Sequence, residues 1–207
     1  MQFCQQVQLL TVPNNPVVLG DSAGYLTAYI LYDSRENTSD GTTGGFVDQA
    51  EHYRWMLEGQ GYEVIMLGYT NISDKDTGFI AQWNSMEEEF DRLVILGHGA
   101  PGSIDARGER LIGTPTLDTH YAFTNLDKKS ISYVELYTCN GATPDEHGNS
   151  AAGGLMSRIT GKAIIRALYY AKTYWLFNKW LFAKPDEDRR NDDSIFWIAP
   201  FFETIYS

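Results

Sequence analysis

Cysteine is scarce in this chain: there are two, Cys4 and Cys139, in 207 residues. Two thiols do not make a disulfide framework, and no CxxC pair occurs. The HExxH pattern of zinc hydrolases is missing. The four histidines, His52, His98, His120 and His147, show no metal-ligand spacing, so neither a metal nor a cofactor is expected. Long apolar runs are lacking too. None reaches the ~18 residues of a membrane-spanning helix, and MQFCQQVQLL is too polar for a secretory leader. Positive charge is also short. Sixteen Lys and Arg stand against 27 Asp and Glu, a formal charge of −11. Neutralising a phosphate backbone needs clustered Lys and Arg, so nucleic acid is not an expected partner. Internal repeats and low-complexity tracts are absent as well.

What is present fits one medium-sized domain, aromatic-rich at 14%, with a short lead-in. Residues 1–24 are rich in Gln, Asn, Pro and Gly and read as an extended segment, with the domain proper over 25–207. YLTAYILYDS reads as a first strand and ENTSDGTTGG as a loop. In FVDQAEHYRWMLEGQG, Phe46, Ala50, Tyr53 and Leu57 recur at helical spacing. YEVIMLGYT is a second strand, DTGFIAQWNSMEEEF a second helix and RLVILGHG a third strand. SIDARGERLIG has the look of a hairpin turning at Arg107-Gly108. SISYVELYTC is a fourth strand. SAAGGLMSRITG reads as a helix capped by Ser150 and stopped by Gly161, and KAIIRAL is a fifth strand. Strand and helix alternating in this way predict an α/β fold, a mostly parallel sheet flanked by helices. The charged loop PDEDRRNDD separates an aromatic stretch from a final apolar strand.

Two strands end on groups with chemistry. Leu93-Val94-Ile95-Leu96 shows no polar alternation, as in a strand covered on both faces, and runs into Gly97-His98-Gly99. The fourth strand runs into Cys139. Ligands of open α/β sheets sit outside the carboxyl ends of the strands, so neighbouring strands would bring a base and a nucleophile to one rim. A cysteine with a resting pKa near ~8.5 needs such a base at neutral pH. Gly99 offers no side chain to obstruct a carbonyl, and its N–H together with that of Cys139 would suit an oxyanion hole. The plainer alternative is a small buried hydrophobe and a satisfied core ring.

A hydrophobic strand ending in His-Gly, followed about forty residues later by one ending in Cys, resembles the caspase-like (clan CD) cysteine peptidases. Clostripain, gingipain, legumain, separase and the self-cleaving domains of large bacterial toxins are among them. The resemblance covers residues 26–167 and implies a caspase-like three-layer sandwich with His98 and Cys139 as the catalytic dyad. The Gln-Ala-Cys of true caspases is replaced here by Tyr137-Thr138-Cys139. The family also implies a specificity pocket along the carboxyl edge. After the first strand, Arg35 would bind an acidic substrate side chain there, or Asp33 a basic one; the alternative is a local pair between the two. NNPVVLGDSAGY is similar to the end of an RHS-repeat core, with Asn15, Pro16, Asp21 and Gly24 in its places and Ser22 where proline is usual. That likeness implies a bacterial effector domain within a larger surface or secreted protein.

The leading expectation is therefore a cysteine endopeptidase or self-processing peptidase acting on protein or peptide. Alternatives are an inactive caspase-like binding domain, an RHS-associated toxin of other chemistry, and an amidohydrolase using the same dyad. His120 and His147 read as solvated loop residues. Asp145 and Glu146 follow the nucleophile without the alternating Asp pattern of a calcium loop. Tyr169–Phe182 reads as packing surface. Oligomeric state has no mark in the sequence.

Overall fold

The computed structural model describes residues 26–35, 46–106, 109–115, 121–168 and 202–206. The lead-in, the 36–45 loop, Cys4, His120 and the aromatic stretch after 168 lie outside these residues. Strand β1 (Leu26–Asp33) is followed by helix α1 (Phe46–Gly59), β2 (Tyr62–Tyr69), α2 (Phe79–Ser85) and β3 (Glu89–Leu96). Three short strands come next: β4 (His98–Ala100), β5 (Ser103–Ala106) and β6 (Glu109–Gly113). A 3₁₀ turn (Phe123–Asn125) leads to β7 (Lys129–Tyr137), α3 (Ala151–Met156), β8 (Ile159–Thr160), β9 (Ile164–Leu168) and β10 (Phe202–Tyr206).

The main sheet has the order β10-β9-β7-β3-β1-β2, with β8 also paired to β7. Every pairing in it is parallel except β9 with β10. The α/β reading thus holds, and the antiparallel strand sits at an edge. The unbroken apolar run of β3 follows from burial on both faces: Leu93, Val94, Ile95 and Leu96 are fully buried. Alternate residues feed two cores. Ala28, Ile30, Val94 and Leu96 pack with Phe46, Ala50, Tyr53 and Leu57 of α1. Tyr29, Leu31, Leu93 and Ile95 pack with Phe79 and Trp83 of α2 and Leu155 of α3. The four residues of α1 spaced for a helix are its buried ones.

Two helices are shorter than their sequences suggest. The second runs only over Phe79–Ser85, because Met86 turns extended (φ −63°, ψ 156°) and Glu89 already pairs with Ser130. The third stops at Met156, because Ile159 and Thr160 are taken up as a strand beside Lys129 and Ser130. Its Ser150 cap is as expected, Oγ accepting from Gly153 N at 3.0 Å. The expected strand pair is β5–β6, its Arg107-Gly108 turn lying outside the described residues, and a third strand, β4, joins it to make a separate small sheet.

Strand order reverses between β1 and β3: from β1 the chain steps outward to β2, then returns on the other side. The crevice at such a switch point, at the carboxyl edge, is where α/β sheets receive ligands.

Candidate functional site at the carboxyl edge

Strands β3 and β7 are parallel neighbours, and the last couple in register is Leu96 with Tyr137. His98 and Cys139 each stand two positions beyond that couple, so the two chains leave the sheet at the same depth. Gly97 N–H still donates to Tyr137 O at 3.4 Å, which keeps the chains together past the last pair. The glycines flanking His98 are required by closeness. A Cβ on Gly97 would collide with the hydroxyl of Tyr69, which donates to Leu96 O at 3.3 Å. A Cβ on Gly99 would collide with the Cys139 carbonyl and stand 2.9 Å from Thr138 Cβ. His-Gly is thus pressed against Thr-Cys.

The imidazole of His98 packs edge-on against Phe46 at the start of α1, with centroids 5.2 Å apart and planes at 85°. Burial lowers its pKa. Asp33 raises it, Arg35 lowers it, and Asp105 raises it again. The net effect is a neutral ring near pH 7, the form a general base needs. Its Nε2 is buried and has no hydrogen-bond partner. The hydroxyl of the fully buried Thr138, beside the cysteine, shares that condition.

Cys139 is half-buried and unoxidised. Burial pushes its thiol up to about 12; its own backbone N–H favours the thiolate, while Asp105 opposes it. The group is therefore a neutral thiol at neutral pH. The next residue, Asn140, has φ +57°, the left-handed region that Asn tolerates better than most residues. Gly141 N–H donates to Thr138 O at 3.2 Å and Thr143 N–H to Asn140 O at 2.9 Å, closing a tight turn around the cysteine. The turn is fixed to α3 through Ala152 N–H to Gly141 O at 2.9 Å. It is joined to the segment after β6 through Thr114 Oγ1 to Asp145 Oδ2 at 2.9 Å.

At the end of β1, Asp33 and Arg35 pair with each other. Arg35 Nε donates to Asp33 Oδ1 at 2.8 Å, Nη2 contacts Oδ2, and the Arg35 backbone N–H reaches Oδ1 at 3.2 Å. The local pair is therefore formed, and it lies near enough to act on His98. His147 is exposed beside Glu146 at 3.5 Å and belongs to the loop rather than the rim.

One residue that the structure brings to the candidate site escaped the sequence. Asp105, 7% exposed, is paired directly across from His98 in the small sheet. Only knowledge of the three-residue β4 would have found it. Among the described residues no group of three or more His, Cys, Asp and Glu is placed to hold a metal ion. No described helix is long and apolar enough to cross a membrane. The sequence matches no protein-family model, and no curated protein is significantly similar to it.

Proposed function

We propose that this chain is a cysteine peptidase of the caspase-like type, with Cys139 as nucleophile and His98 as general base. The observation that carries the proposal is the shared register of β3 and β7, which brings the two residues to one depth at the carboxyl edge. The topological switch point beside them supports a ligand at that edge. In the reaction, Cys139 Sγ attacks the carbonyl carbon of a peptide bond while His98 takes the thiol proton. The tetrahedral oxyanion is held by the N–H groups of Gly99 and Cys139. Collapse breaks the C–N bond, and His98 returns the proton to the leaving amine, leaving a thioester. Water then attacks the thioester carbonyl and gives its proton to His98. The acid is released and the thiol restored.

The neutral resting pair suits this scheme: a thiol held up to about 12 is inert until a carbonyl and the base converge on it. The same observation favours a second reading, a caspase-like binding domain without activity. Proteins or peptides are the substrates in the first reading and the ligands in the second. The Asp33–Arg35 pair at the rim would set specificity. Opening of the pair by substrate frees Arg35 for an acidic side chain, or Asp33 for a basic one. The lead-in's likeness to an RHS core supports a bacterial, surface-associated or secreted effector.

A peptide library cleaved by the wild type and by Cys139→Ala and His98→Ala tests the assignment. Cleavage lost by about a thousandfold in both variants supports the peptidase. Binding of peptides without cleavage in the wild type supports the second reading. The residue before the cut assigns the rim pair: Asp or Glu points to Arg35, Lys or Arg to Asp33.

A further inference from the structure

Asp105 stands in β5 directly opposite His98 in β4. Residues opposite one another in antiparallel strands share a face, with Cβ atoms about 4.5–5.5 Å apart. The carboxylate is buried, and the fully buried Ser103 donates to its Oδ1 at 2.6 Å. The pairing of β5 with β6 slips between Ile104 and Asp105. The extra residue, Leu111, lies in β6, so Asp105 keeps its place opposite His98.

Among the described side chains, the other charged groups acting on His98 are Asp33 and Arg35, from the end of β1, while on the far side of Asp105 its register partner in β6 is Arg110. Asp33 and Arg35 are locked in a bidentate pair and act on the imidazole in opposite directions. α1 contributes the neutral ring of Phe46. Asp105 acts on His98 of β4, on the Cys139 thiol in the turn after β7 and on Tyr69 of β2.

We propose that Asp105 is the positioning residue of the site, a fixed negative charge across the β4–β5 pair that stabilises the imidazolium formed when His98 takes the thiol proton. This rests on the peptidase reading for its role, not for its test. The same charge disfavours a free thiolate. Asp105 thus adds to burial in holding the proton on sulfur at rest, and helps it onto nitrogen during attack. Ser103 keeps the carboxylate in place.

The test is the titration of His98 in the full chain, followed by two-dimensional NMR, with His98→Gln assigning its resonance. In Asp105→Asn the His98 midpoint is expected to fall, and alkylation of Cys139 by iodoacetamide to shift to lower pH. In peptide cleavage the acidic limb of kcat/KM moves down. The kcat falls about tenfold with little change in KM, the cost of about one pKa unit of lost charge stabilisation. Asp105→Glu keeps the charge and restores the midpoint. If Asp105→Asn does not fold, Asp105→Ser serves as the neutral variant. A His98 midpoint unmoved by loss of the charge overturns the proposal, even if activity falls. Should the wild type cleave nothing, the peptidase reading fails while the titration still decides whether Asp105 governs His98.

Discussion

Midway along β3 and β7, Arg92 and Glu135 meet on the face covered by α1. At the carboxyl ends of the same strands stand His98, Thr138 and Cys139. Both groups put polar atoms out of water, and they are treated differently. Glu135, 4% exposed, accepts from Arg92 Nη2 at 2.7 Å and Nε at 3.3 Å and from the Tyr137 hydroxyl at 3.3 Å, with Arg166 at 3.9 Å. Arg92 also reaches Gln60 Oε1 at 3.3 Å and stacks over Tyr133. At the rim, His98 Nε2 and Thr138 Oγ1 are the buried side-chain atoms without a partner among the described residues. Buried polar atoms are nearly always bonded, and an exception marks strain or work to be done. The inner cluster satisfies its polar atoms; the rim leaves two of its own unbonded.

The largest effect on stability should come from breaking the inner cluster. Glu135→Ala leaves two half-buried guanidinium groups, those of Arg92 and Arg166, without their carboxylate, at a cost of about 3 kcal/mol. Urea unfolding measures it, and a loss below about 1 kcal/mol would mean the network contributes little. Next is Gly99→Ala at the rim. Its methyl group meets the Cys139 carbonyl, and overpacking of this kind costs about 2 kcal/mol. Because the strain falls on the site, probe labelling of Cys139 should drop far more than the urea midpoint. An Ala variant with unchanged labelling would show that the contact has no bearing on the site.

Two neighbouring residues sharpen the contrast at smaller scale. Tyr137→Phe removes a bonded hydroxyl and should cost about 1 kcal/mol. Thr138→Val removes an orphaned one at nearly constant shape and should be neutral or slightly stabilising. Equal losses in both would erase the distinction between the two clusters.

The smallest effects lie in the pH dependence of stability. The folded His98 has a pKa below the ordinary 6.5, so its contribution is complete above that value. It is lost as pH falls and the unfolded chain takes a proton first. The folded thiol is raised from 9.0 to about 12, so its contribution is complete below 9 and fades as pH rises towards 12. Urea midpoints of the wild type minus His98→Gln should slope below pH 6.5, and minus Cys139→Ala above pH 9. Flat differences would show that neither group is desolvated.

Most of the fold was legible because burial writes itself as periodicity. Phe46, Ala50, Tyr53 and Leu57 mark the inner stripe of α1, and the apolar run before Gly97 marks a central strand. The ends of α2 and α3 were not legible, since Met86 and Ile159 leave the helical path for pairings with β7 that no local signal announces. His98 and Cys139 stood out as reactive groups after apolar strands. Asp105 did not, because its place opposite His98 depends on a cross-strand pairing with a three-residue strand. Arg92 and Glu135 look like surface charges in a linear reading, and only the register brings them together under α1.

The most direct test of the account is labelling by a peptide that carries an acyloxymethyl ketone, read by intact mass and peptide mapping at neutral pH. One adduct is expected on Cys139, none on Cys4, and loss of that adduct in His98→Ala, while iodoacetamide at high pH still modifies Cys139 in the variant. Equal labelling of Cys139 by the peptide probe with and without His98 would contradict it.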